Sequence, residues 1–225
     1  MAQGELQLPA SRSERPRGRR AFGRALLAGG TAGNELLTAC TGAALIALLA
    51  ILGVTILRIG SLLWVHLFVG LALIGPLALK LASTGYRFVR YYGGDARYRS
   101  AGPPPILLRA IGPVVVASTL VVLASGVALL LTGPSGRATW LPIHKLSFFV
   151  WIAFMAVHVL GHLPAVGAGL RADYGGPLQR LDEGAPGRSG RALSLAAAIV
   201  LGLVLAILLI PEFGAWVHAQ SLHRQ

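Results

Sequence analysis

Charged residues are scarce in this 225-residue chain, and acidic residues are the scarcest of them. Aspartate and glutamate together number 8, lysine and arginine number 20, and charged residues make up only 12% of the sequence. A soluble domain carries roughly twice that fraction. No acidic residue lies in the middle of a long apolar run. The sequence therefore contains no carboxylate pair for acid–base catalysis within those runs, and we predict no catalytic residues.

Cysteine and lysine are also nearly missing. Cys40 is the single cysteine and lies inside an apolar run, which excludes a disulfide framework and a thiolate metal site. Only two lysines, Lys80 and Lys145, accompany 18 arginines. Because the basic composition favours arginine so strongly, the lysine at position 80, inside an apolar run, indicates a role for an amine.

Long apolar runs are what the chain has in abundance. Hydrophobic residues make up 55% of the sequence, and the mean hydropathy is +0.68. A membrane-spanning helix needs about 20 apolar residues, whereas strands of a membrane barrel alternate apolar and polar residues, which these runs do not. We therefore predict an all-α, polytopic membrane helical bundle of five transmembrane helices. The predicted spans are Leu36–Leu57, Ser61–Ser83, Ile106–Thr132, Leu141–Leu163 and Ala192–Pro211.

The net charge of +12 raises the question of nucleic-acid binding, and the placement of the arginines answers it. They cluster before the first run, between the second and third, and between the fourth and fifth. Positive residues in short loops stay on the cytoplasmic side. We therefore predict a multi-pass protein of the bacterial cytoplasmic (inner) membrane with its N-terminus inside and its C-terminus outside. The arginines contact membrane lipid, and no nucleic-acid partner is expected.

The same pattern predicts the organisation of the chain. Residues 1–33 form a basic, disordered cytoplasmic arm, and residues 34–165 form a four-helix membrane core. Residues 166–191 form a cytoplasmic loop, and residues 192–225 contain the fifth transmembrane helix and a short outer tail. No soluble domain is predicted.

Polar residues inside the predicted spans are few, and each is a candidate functional residue because a polar group in lipid is costly. The second span contains His66 and Lys80, and the fourth contains His144 and His158. The members of each pair are fourteen positions apart. Fourteen residues return an α-helix to within about 40° of the same face, about 21 Å further along its axis. Since both spans run in the same direction, His66 should lie level with His144, and Lys80 level with His158.

Two imidazoles that face each other inside a helical bundle can hold a haem iron axially. The porphyrin needs space, which small residues would provide. Gly70 follows His66 by one turn, and Gly112 and Gly126 in the third span are again fourteen positions apart. Two alternatives stay open, because glycines also allow ordinary close packing of membrane helices and a single buried histidine can serve packing alone.

Lys80 allows two interpretations. A neutral amine could bind iron, or the ammonium could extend to the cytoplasmic headgroups or pair with a haem propionate, which is the interpretation we favour. In the second case an inner haem would depend on His158 alone, use His162, or not exist. His162 lies one turn beyond His158, and we expect an interfacial or propionate-binding residue there. No neighbouring carboxylate or thiolate completes a metal site for this pair.

These residues resemble a known family. The pattern from His144-Lys145-Leu146-Ser147 to His158, followed by Gly161-His162-Leu163, is similar to the ligand helix of cytochrome-b-type (di-haem-like) bacterial integral membrane proteins. Those proteins are related to the haem-binding four-helix core of respiratory and ferric-reductase-like membrane subunits. The segments Lys80–Tyr92 and Gly102–Pro105 resemble a related group of bacterial membrane proteins. The resemblance extends over about residues 34–165.

The resemblance implies haem b, one or two per chain, with His66 and His144 as the ligands of one haem and His158 as a ligand of the second. Di-haem members usually have a histidine at the position of Lys80, so this chain departs from their pattern.

The expected function is that of a b-type cytochrome membrane subunit. It would carry electrons across or within the membrane between a quinol or a dehydrogenase partner and an acceptor. A quinone and a redox partner protein are the expected partners, and the chain would be an electron-transfer subunit of an oxidoreductase rather than a complete enzyme. The alternative is a cofactor-free scaffold, assembly protein or small-solute permease. A permease should show a continuous polar path, whereas the polar groups here form two levels.

Overall fold

The computed structural model describes residues 30–100, 102, 105–174 and 187–222 of the protein. Most of the predicted N-terminal arm and the centre of the predicted loop at 175–186 lie outside these residues. The described part is all-α and contains no strand, which confirms the predicted fold class. Its helices are α1 Gly30–Leu57, α2 Ile59–Ala72, α3 Ile74–Tyr92, α4 Ala96–Ser100, α5 Ile106–Thr132, α6 Arg137–Tyr174, α7 Arg188–Leu208 and α8 Phe213–Leu222.

Four helical stretches in the described residues are long and apolar enough to cross a membrane. They are Gly30–Leu57, Ile59–Tyr92, Ile106–Ala172 and Arg188–Leu208. The third stretch comprises α5 and α6, which are joined by a 3₁₀ turn at Gly133–Gly136. Large apolar side chains are exposed along all of these stretches, as expected of helices whose outer surface meets lipid tails. The structure is therefore that of a multi-pass membrane protein.

Helices α5 and α6 form an antiparallel hairpin. At its middle, the buried indole of Trp151 donates a hydrogen bond of 2.9 Å to the hydroxyl of Thr119. Near its open end, the side chain of Leu108 fills the position that a Cβ would occupy at Gly161. The glycine therefore allows close packing at that end, and the indole bond ties the hairpin together at its middle.

Helix α1 lies antiparallel to α2 and α3, which follow each other with a break at Leu73. Pro76 has no N–H to donate to the carbonyl of Ala72, while the bonds on either side persist, such as the 3.0 Å bond from Leu77 N to the Leu73 carbonyl. The bond to the Ala72 carbonyl is therefore missing, while the helical stretch continues from α2 into α3. At the far end of α1, Asn34 Nδ2 donates to the Ser83 carbonyl over 3.1 Å.

Helix α7 crosses the α2–α3 break at backbone contact. A Cβ at Gly75 would overlap the carbonyl oxygen of Ala198, and one at Gly202 would overlap the carbonyl oxygen of Ala72. Ala206, one turn further along α7, is fully buried. Small residues at every fourth position allow two membrane helices to approach in this way.

The helices extend beyond several predicted boundaries. Helix α1 begins at Gly30, inside the predicted arm, and α6 continues to Tyr174, inside the predicted loop. Helix α3 likewise continues to Tyr92. The predictions followed the apolar runs, whereas an α-helix needs only its backbone hydrogen bonds and can continue past the lipid boundary.

Candidate functional site

Two imidazoles face each other between α2 and α6. The ring centres of His66 and His144 are 6.5 Å apart, and the ring planes are nearly perpendicular, at 86°. Both side chains are half-buried. The structure thus brings together the pair that the matched spacing along two parallel helices predicts.

The ring of His144 is held by helix α5. Its Nδ1 lies 2.9 Å from the carbonyl oxygen of Val122. Because a carbonyl oxygen only accepts hydrogen bonds, Nδ1 of His144 carries the proton. The hydroxyl of Ser125 lies 3.2 Å from the same nitrogen. The other ring nitrogen, Nε2, therefore keeps its lone pair.

The ring of His66 is held by helix α1 in the same manner. Its Nδ1 lies 2.9 Å from the hydroxyl oxygen of Thr55. That hydroxyl donates its one proton to the carbonyl of Leu52 over 2.6 Å, so it accepts from His66. Thr55 is almost completely buried, at 1% exposure, which removes water as a competing partner. The lone pair of His66 also remains on Nε2.

The separation of the two rings is compatible with one metal ion held between them. An imidazole nitrogen binds a metal at about 2 Å, so two rings on opposite sides of one ion have centres about 6 Å apart. The separation of His66 and His144 fits that distance. Metal-bound histidines almost always donate the other ring N–H to a fixed acceptor, and both rings do so here. Within the described residues, no three His, Cys, Asp or Glu side chains converge on a metal-sized site.

The three predicted space-providing glycines differ in their surroundings. A Cβ at Gly126 would lie 3.1 Å from Cε1 of His144, so this glycine lets the imidazole approach the α5 backbone. A Cβ at Gly70 or at Gly112 would meet nothing within 4 Å. Open space therefore lies next to Gly70 and Gly112, whereas Gly126 positions the His144 ring.

The level of Lys80 and His158 has a different construction; following the predicted orientation we call it the inner level, and that of His66 and His144 the outer level. Nζ of Lys80 donates a hydrogen bond of 2.7 Å to the backbone carbonyl of Thr38 on α1. A Cβ at Gly42 would lie 3.3 Å from this Nζ and 3.6 Å from a methyl group of Val166 on α6. The amine of Lys80 therefore lies where α1, α3 and α6 meet.

His158 and His162 lie on the α6 side of the same level. Their ring centres are 4.6 Å apart, and Lys80 lies within electrostatic range of both. Nδ1 of His158 is buried and has no hydrogen-bond partner among the described residues. Lys80 therefore acts electrostatically on His158, and no described residue accepts a hydrogen bond from Nδ1 that would orient this imidazole.

Sequence reasoning missed the residues that hold the imidazoles. Thr55 and Ser125 are hydroxyl residues within apolar helices, which is a weak signal because such hydroxyls usually bond to their own helix. Both indeed donate within their helices, and each also faces a histidine of another helix. The other acceptors are the backbone carbonyls of Val122 and Thr38, and no residue type in the sequence marks a backbone carbonyl as an acceptor.

Comparison with known protein families, with curated proteins and with solved structures finds no match to this chain. The functional argument therefore depends on the geometry of the two levels.

Proposed function

We propose that this protein is a b-type cytochrome subunit of a bacterial inner membrane, with five transmembrane helices. The α5–α6 hairpin supports this number, because each of its arms is long enough to cross a bilayer. The N-terminus is inside and the C-terminus outside, an orientation supported by the arginines that precede α1 and lie between α3 and α5.

The observation that carries this proposal is the pair of imidazoles at the outer level. His66 and His144 face each other at 6.5 Å, and each directs its proton-bearing Nδ1 to a partner on another helix. The two side chains provide only two ligands, which fits a cofactor that brings its own equatorial nitrogens. Haem b would occupy this position, held by His66 and His144. Haem iron supplies one-electron oxidation and reduction.

The protein's part is to orient the ligands and to exclude water. The Thr55 hydroxyl and the Val122 carbonyl hold the rings so that both Nε2 lone pairs are free. The open space beside Gly70, one turn from His66, is available to a flat macrocycle. Strong, fixed acceptors on Nδ1 make the imidazoles more basic ligands, which favours the oxidised iron.

The inner level does not fit a second haem equally well. The amine of Lys80 donates to the Thr38 carbonyl, and Nδ1 of His158 has no acceptor among the described residues. A ligand imidazole normally has such an acceptor. We therefore assign one haem per chain, at the outer level.

In this proposal the chain is an electron-transfer subunit of an oxidoreductase. It takes electrons from a quinol or a dehydrogenase partner and passes them to an acceptor. The support is the position of the histidine pair inside an apolar bundle, because lipid-soluble or membrane-bound partners reach such a site.

Absorption spectra of the purified protein, oxidised and dithionite-reduced, test the assignment, together with a pyridine haemochrome for stoichiometry. We expect a Soret band, sharp reduced α and β bands, and one haem per chain. His66→Leu and His144→Leu should each abolish the low-spin spectrum. His218→Leu is the matched control, because Nδ1 of His218 bonds to the Gly214 carbonyl of its own helix, α8. A colourless protein from haem-supplied cells would favour a cofactor-free scaffold or permease instead.

A further inference from the structure

The inner level holds more basic groups than acidic ones. His158 and His162 lie side by side there, Lys80 lies within electrostatic range of both, and Arg87 within range of His162. They come from two helices, α3 and α6, and Lys80 reaches α1 at the Thr38 carbonyl.

The acidic side chains that the structure describes either form ion pairs with arginines or lie far from Lys80. Glu35 on α1 forms an ion pair of 3.2 Å with Arg87, and Asp95 forms an ion pair with Arg90. Glu212 lies in the 3₁₀ turn Ile210–Glu212, at the opposite end of the bundle. None of the carboxylates whose side chains the structure describes forms an ion pair with Lys80, although charges inside membrane proteins are usually paired.

The polar groups of Lys80 and His158 also make fewer hydrogen bonds than they could. An ammonium group has three donors, and the described residues provide Lys80 with one acceptor, the Thr38 carbonyl. Nδ1 of His158 is buried without a partner, and a buried polar atom without a partner is costly. An oxygen atom that accepts hydrogen bonds can satisfy the unused donors of the Lys80 ammonium, and also Nδ1 of His158 when this nitrogen carries the proton.

We propose that Lys80, His158 and His162 form a binding site for an oxyanion, that is, for a phosphate or carboxylate group. An oxyanion supplies the missing negative charge and several acceptor lone pairs at once. The group belongs to an acidic lipid headgroup or to a free anion in solution, and both have the same chemistry. The site is separate from the His66–His144 pair, so it does not depend on haem.

The chain has only two lysines, which allows a direct measurement. Protein labelled with ¹³C-lysine in detergent micelles gives two Cε signals, and Lys145→Met assigns them. We titrate the unmodified sequence with phosphatidylglycerol, phosphatidylcholine, inorganic phosphate and the neutral quinone decylubiquinone. We expect phosphatidylglycerol to shift the Lys80 signal saturably and to leave the exposed Lys145 unchanged.

The arms of the titration distinguish the sources of the oxyanion. A shift with phosphatidylglycerol and not with inorganic phosphate assigns a lipid headgroup, whereas a shift with inorganic phosphate assigns a free anion. No shift with either overturns the proposal. So does an equal response to phosphatidylcholine and phosphatidylglycerol, or a response to decylubiquinone alone.

Affinity measurements provide the second test. Lys80→Met and His158→Leu should each weaken binding of the anion identified above by about tenfold or more, because each removes a hydrogen bond to a charged group. Lys145→Met, the matched control, should bind as the parent does. Unchanged affinity in both site variants would contradict the assignment.

Discussion

Nδ1 of His66 and the hydroxyl of Thr55 are 2.9 Å apart across the α1–α2 turn, and the hydroxyl passes its own proton to the Leu52 carbonyl. This two-bond chain determines which ring nitrogen of His66 is free. A residue that never touches a ligand thus decides what the imidazole can bind.

Thr55→Val should weaken haem binding, because valine preserves the shape of the side chain and removes the acceptor for His66. Loss of such an outer partner typically lowers metal affinity about 10–100-fold. Titration of haem into the haem-free protein measures the change. Thr41→Val is the control, because Thr41 is equally buried on α1 and its hydroxyl, among the described residues, bonds to its own helix alone, at the Leu37 carbonyl. Equal affinities for the two variants would refute the role of Thr55.

Gly126→Val should displace the His144 ring, because a Cβ at this position would lie 3.1 Å from Cε1 and valine adds two further methyl groups. We expect a high-spin or haem-free protein, recognised by loss of the sharp reduced α band. Gly112→Ala, at a position with open space on the same helix, should keep the spectrum of the parent. If Gly126→Val retains that spectrum, Gly126 does not position the ring.

Gly202→Leu should detach α7 from the α2–α3 break, because any Cβ at this position overlaps the Ala72 carbonyl. Overpacking of this kind costs about 1–3 kcal/mol, and unfolding in mixed micelles with increasing SDS measures the loss. Gly53→Ala, in the interior of α1 with no atom near its Cβ position, should be neutral or slightly stabilising. Equal stability of both variants would indicate that α7 does not depend on this contact.

Labelling of introduced cysteines tests the five spans and their orientation. Cys40 is buried at 5% exposure, and Cys40→Ala provides a thiol-free chain. In that background, Ser135→Cys in the α5–α6 turn should react with a membrane-impermeant maleimide in right-side-out vesicles. Ser100→Cys, at the end of α4, should react only after permeabilisation. Both serines are exposed. If both cysteines react from the same side, the α5–α6 hairpin does not cross the membrane.

Much of the fold could be predicted because hydropathy and helix periodicity are local properties. The boundaries of α5, Ile106–Thr132, are the same in sequence and structure. The break at Leu73 follows from Pro76, since a proline removes one backbone donor. The close approach of Gly75 and Gly202 could not be predicted, because neither local sequence indicates which other helix it packs against.

The candidate site was likewise predictable only in part. The fourteen-residue spacings predict that His66 lies beside His144 and Lys80 beside His158. The structure brings the two imidazoles to 6.5 Å and leaves Lys80 within electrostatic range of His158. The spacing says nothing of partners on other helices. It therefore treats the two levels as equivalent, whereas the structure provides acceptors for one pair of imidazoles and leaves Nδ1 of His158 without one.

The sequence by itself determined that this is an all-α membrane protein with polar groups at two levels, because burial of apolar runs in lipid and the period of the helix depend only on the order of residues. Only the tertiary structure decided which ring nitrogens are free and where Lys80 places its charge. Hydrogen bonds act over about 3 Å, and the Thr55 hydroxyl, the Val122 carbonyl and the Thr38 carbonyl come within that distance only when separate helices pack together.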